Sequence, residues 1–125
     1  PTLHPKLNEI LEYAKNKNVK ISLTTNGSTL VKKRVPTLLD SIYGEIVASL
    51  MTPTKDTYKI RGDVGLSWDR YIENFRLLIK EHLKKIHKGD KIEYEIIFYC
   101  FGITLFIFWC GIICFHGWCG IWIYY

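Results

Sequence analysis

No cysteine occurs in the first 99 residues of this 125-residue chain, and no Lys, Arg, Asp or Glu occurs after Glu95. The first absence excludes a disulfide framework or a thiolate metal centre over that part. The second divides the chain into a charged segment and an apolar tail rich in Phe, Ile, Trp, Cys and Gly. Also missing is any dense basic block. The net charge of +5 is carried by scattered lysines, and the tightest run, Lys32, Lys33 and Arg34, reads as a solvated helix face. A nucleic-acid surface would need a clustered stripe, so no nucleic-acid partner is expected. The chain starts at Pro1, with no basic stretch leading into an apolar one, so no secretory signal is visible and the start reads as a cut. A chain this short holds one modest domain or part of a larger one.

What is present before Glu95 reads as alternating helices and strands. Pro5 suits the start of a helix, where a missing N–H costs nothing, and Leu7, Ile10, Leu11 and Ala14 follow as one apolar stripe. Val19, Ile21 and Leu23 alternate with polar residues up to the turn signal Asn26-Gly27, predicting a strand over 19–25. Leu30, Val31, Val35, Leu38 and Leu39 suggest a helix over 28–41, kinked or restarted at Pro36. The apolar run EIVASLM reads as a buried strand, and a polar loop with a short helical turn follows it. Ser67 can cap a long helix in which Trp68, Ile72, Phe75, Ile79, Leu83 and Ile86 recur every three or four residues until Gly89 stops it. In KIEYEIIFY, Ile92, Tyr94 and Ile96 fall on one side of a strand and Glu93 and Glu95 on the other. Connections too long for hairpins predict parallel strands crossed over by helices, so the class is α/β. Ligands of such sheets gather at the carboxyl ends of the strands, here at the loops 24–28 and 49–65.

Three segments lie at those ends. PTLHP, then LTTNG, then ASLMTPTKDTYKIRG, in this order and at these spacings, resemble the radical S-adenosylmethionine (radical SAM) superfamily. The resemblance implies an incomplete parallel (β/α) partial barrel of about three strands over residues 1–99, and an apolar tail over 100–125. It also implies S-adenosylmethionine as cofactor, its reductive cleavage at a 4Fe-4S cluster, and hydrogen abstraction from a peptide, protein or small-metabolite substrate. PTLHP is similar to the end of the Gly-Gly-Glu-Pro strand that binds the cofactor's amino group, with Pro1 and Thr2 as what remains of it. TNG is similar to the next strand end, which turns Thr25 and Asn26 towards cofactor or substrate. The third segment implies Ser49 near the ribose or methionine, and Arg61 paired with the cofactor's carboxylate through two parallel hydrogen bonds. Met51 stands where that pattern carries aspartate and is given no role.

The cluster of this family needs a Cys-x3-Cys-x2-Cys loop, and the chain contains none. No catalytic or metal-binding residue is therefore assigned, and the implied activity belongs to an intact parent enzyme, with this fragment inactive. Cys110, Cys114 and Cys119, with His116 among them, follow a Cys-x3-Cys-x4-Cys spacing that fits neither the cluster loop nor a zinc knuckle. Three readings of residues 100–125 stay open. The abrupt compositional break in mid-strand favours an accidental translation after a lost reading frame. A membrane span needs only about 20 apolar residues, and a buried barrel element is the third reading. A span would make the chain a small basic interaction protein tethered to a membrane; otherwise the expected location is cytoplasmic.

Overall fold

The computed structural model describes residues 2–50, 54–61, 65–100, 103–107 and 113–115, without the side chains at 60, 61 and from 100 onward. In chain order the elements are α1 (Leu7–Asn16), β1 (Ile21–Thr25), α2 (Val35–Ser41), β2 (Gly44–Ser49), α3 (Lys55–Arg61), α4 (Trp68–Lys88), β3 (Tyr94–Cys100), β4 (Ile103–Ile107) and β5 (Ile113–Phe115). The sheet runs β1-β2-β3-β4-β5 without closing on itself. β1, β2 and β3 are parallel, and Leu23, Ile46 and Ile96 lie side by side across them. The helix-strand alternation has therefore produced the expected α/β sheet with sequential parallel strands.

One face of this sheet holds the core. Leu23, Ile46, Ala48, Ile96 and Phe98 pack with Leu11 of α1, Leu38 and Leu39 of α2, and Leu78 of α4. The residues between them in the strands point the other way, and Ser22, Thr24, Glu45 and Glu95 are exposed. That alternation follows from the two-residue period of a strand.

Four local readings differ from the structure. Val19 is half-exposed and precedes β1, because its N–H caps the last turn of α1 on Ala14 O at 2.9 Å, after Asn18 has turned the chain with φ 57°. Residues 28–34 are turns, and α2 begins only at Val35, which puts Pro36 in the first turn where it disrupts nothing. Ile10 is 47% exposed, so α1 buries Leu11 and Ala14 alone. The buried stripe of α4 is Tyr71, Asn74, Phe75, Leu78 and His82, which includes two polar residues and shares only Phe75 with the purely apolar one.

β4 pairs antiparallel with β3, and β5 antiparallel with β4. These stretches, inside the segment that composition had set apart, thus join the same sheet as the charged part. Among the described residues no helix is long and apolar enough to cross a membrane.

Candidate functional site

The strand register places a polar row at the carboxyl end of the open face. Ser49 pairs with Tyr99 there, one step beyond Thr24, Val47 and Ile97, which share the row below. Tyr99 is 41% exposed, although a tyrosine buries well when it has neighbours. Ser49 is half-buried, and its carbonyl accepts a hydrogen bond from the Tyr71 hydroxyl of α4 at 3.4 Å.

The turn after β1 is built more tightly. Thr25 is buried on the helix side, where its Oγ1 accepts the N–H of Gly27 at 3.2 Å. Asn26 is exposed, and its Oδ1 accepts both the backbone N–H of Ser28 at 3.2 Å and the Ser28 hydroxyl at 2.8 Å. Leu30 N donates back to Gly27 O at 3.2 Å. Gly27 has φ +78°, and a Cβ there would fall 2.4 Å from the Phe75 ring. Because the N–H groups of Gly27, Ser28 and Leu30 serve the turn itself, the turn offers a ligand side chains, chiefly the amide nitrogen of Asn26, rather than a nest of backbone donors.

Thr2 belongs to the same end. Its hydroxyl accepts from Thr29, and its carbonyl accepts from Arg34 Nη1 at 2.7 Å. The loop after β1 thereby holds the start of the chain against it. Arg61 closes α3, which starts with Thr57 N donating to Thr54 Oγ1 at 3.2 Å, but the Arg61 side chain lies outside the described residues, as do Pro1 and Met51. Between the loops runs a column of rings: Tyr58 lies 5.2 Å from Tyr71, Tyr71 5.1 Å from Phe75, and Phe75 5.8 Å from Phe98. It braces the ends of β1, β2 and β3 from the helix side.

The opposite end is different in kind. A cavity of about 600 Å³ opens there, lined among others by Lys20, Tyr43, Glu45, His82 and Glu93. The displaced titrations also lie there. Hydrogen bonds from Lys15 and then Lys91 hold the Glu93 carboxyl down at about 2, the hydrogen bond to Asp40 raises Lys85, and burial lowers His82 and raises Tyr94. Displaced values can mark catalytic groups, but ion-pair networks produce them too. Here Lys15 ties α1 to the segment before β3 and Lys85 ties α4 to α2, which is how a scaffold is held together, while Lys91 pairs with Glu93 within its own segment. In α/β barrels that end serves stability and the carboxyl end serves chemistry.

Set beside known families, residues 1–92 match the model of the radical SAM superfamily. The chain belongs to that superfamily. No curated protein and no solved structure matches it. The match takes in α1 to α4 with β1 and β2, and with them Thr2, Thr25, Asn26, Ser49 and Arg61. Radical SAM proteins generally use S-adenosylmethionine and a 4Fe-4S cluster. The polar strand ends suit the first, since hydroxyl, carboxamide and aromatic groups converge on one side of the sheet. The second does not fit these residues. All four cysteines lie at or beyond Cys100, and among the described residues no three His, Cys, Asp or Glu side chains are grouped to hold a metal ion.

Reasoning from the sequence missed Asn74 and Tyr99, and placed Thr24 at a strand-end loop without settling which face it presents. Asn74 gave no such signal, because it lies off the stripe that Trp68, Ile72, Phe75, Ile79, Leu83 and Ile86 form in the sequence. Thr24 and Tyr99 depend on which face each strand presents, and that is settled by the helices packed on the other side.

Proposed function

We propose that this chain supplies part of the S-adenosylmethionine-binding end of a radical SAM barrel. The observation that carries the reading is the in-register parallel sheet, which sets Thr24, Ser49 and Tyr99 on one open face beside the Asn26 turn. Ser49 offers a hydroxyl to the cofactor's ribose or methionine, at a strand end that the ladder and Tyr71 hold still. Asn26 offers its amide nitrogen, Arg61 pairs with the carboxylate, and Pro1 and Thr2 border the amino group. Thr25 contributes by fixing the turn that aims Asn26.

Bound S-adenosylmethionine would supply the family's reductive cleavage and hydrogen abstraction from a peptide, protein or small-metabolite substrate. The thiolates for the cluster come from outside the cysteine-free first 99 residues, so this segment binds and orients but does not reduce. Calorimetry with S-adenosylmethionine on the full chain tests the reading. Saturable binding that weakens about two- to tenfold in Ser49→Ala, the range expected for one lost hydrogen bond, is the expected result. Absence of binding, or binding that ignores Ser49→Ala and Asn26→Ala alike, would contradict it.

A further inference from the structure

We infer that Asn74 is a positioning residue for the ligand-facing turn after β1, acting through the backbone of Gly27 and Ser28. It lies in the first third of α4, is 6% exposed, and donates its Nδ2 to Gly27 O at 2.8 Å and to Ser28 O at 3.5 Å. A carboxamide buried on an apolar helix face is costly unless it is hydrogen-bonded, and these two carbonyls are what it is bonded to. Helix interiors disfavour asparagine slightly, so the side chain is there for the contact and not for the helix.

Three features make the contact a latch rather than ordinary packing. Gly27 takes a left-handed φ of +78°, and the adjacent Phe75 ring leaves no room for a side chain there. The N–H groups of Gly27 and Ser28 are consumed by Thr25 Oγ1 and Asn26 Oδ1, so α4 holds the turn by its carbonyls. What Asn74 adds is registration: it ties two successive carbonyls of the turn to a 21-residue helix capped by Ser67 at one end and Gly89 at the other. Asn26 sits immediately before those carbonyls, and Thr29 just after them holds Thr2. One side chain therefore sets the height of both polar groups above the strand ends.

This inference rests on the functional reading for its ligand arm, and the experiment separates the two. The full chain and its Asn74→Asp variant, in which the carboxylate keeps the shape but donates nothing, are compared by amide hydrogen exchange and by S-adenosylmethionine calorimetry. Exchange at Gly27, Ser28 and Leu30 should rise at least tenfold, with the amides of Ile46 and Ile96 unchanged, and affinity should fall about tenfold. Asn74→Gln keeps the donor but displaces it by one methylene, and it serves as the second variant if Asn74→Asp does not fold; it should loosen the same three amides. Looser turn amides with unchanged affinity would overturn the positioning role while leaving the functional reading intact. No binding by the unmodified chain would overturn the functional reading, and the latch then stands or falls on exchange alone: equal protection in the variant sinks it.

Discussion

Gly27 and His82 are the residues on which the two ends of the sheet depend most differently. At Gly27 a side chain meets both a left-handed φ and the Phe75 ring. Gly27→Ala should therefore lower unfolding stability by about 1–3 kcal/mol, read from the urea midpoint at constant slope. His82 is 2% exposed, with Nδ1 3.1 Å from the Tyr94 hydroxyl and Nε2 buried without a hydrogen-bond partner among the described residues. Burial lowers its pKa below the ordinary 6.5, so the unfolded chain takes up a proton that the folded chain refuses. The unfolded state thus binds more protons below about 6.5, and stability must fall as pH drops through that value towards the folded pKa. Urea titrations between pH 7.5 and 5.5 should show this decline, and His82→Gln should flatten it. Glu93, held at about 2, behaves separately: its contribution is present above the ordinary carboxylate range and is lost only as pH falls from about 4.5 towards 2. The Asn26-Gly27 turn was legible as a pair of residues, because only a few residue types tolerate that backbone. Asn74 and His82 were not, because pattern reading counts apolar residues and passes over polar ones that find partners in the core.

Among the described elements, α4 is the longest, with 21 residues. Ser67 Oγ accepts the N–H of Arg70 at 3.3 Å, and Gly89 ends the helix in the left-handed conformation with φ 76°. Both caps were readable from the sequence, since their residue types answer the orphan groups of helix ends. Ser67→Ala should cost about 1 kcal/mol. Leu78, 0% exposed between α4 and the sheet, should cost about 3 kcal/mol when cut to alanine, and the same urea series would rank the two. The start of α2 was misplaced for a physical reason. Leu30 is buried yet lies in a turn, so an apolar side chain there says that the segment faces the core without saying that it is helical.

For the whole molecule, the sequential parallel order of β1, β2 and β3 followed from the alternation of helix and strand patterns, because crossover connections leave few other arrangements. The antiparallel β4 and β5 did not follow, since a run without charge or clear period looks alike as strand, span or noise. What joins fold to function is which end of the sheet receives the ligand. The amino end has the cavity of about 600 Å³ and the displaced pKa values; the carboxyl end has Asn26, Ser49 and Tyr99. Photo-crosslinking of labelled S-adenosylmethionine to the full chain, with the labelled peptides mapped, decides between them. Label on peptides containing residues 24–28 or 49–61, competed away by unlabelled cofactor, is the result expected here. Label confined to residues 20–22, 43–45 or 92–95 would place the ligand at the wrong end and contradict the account.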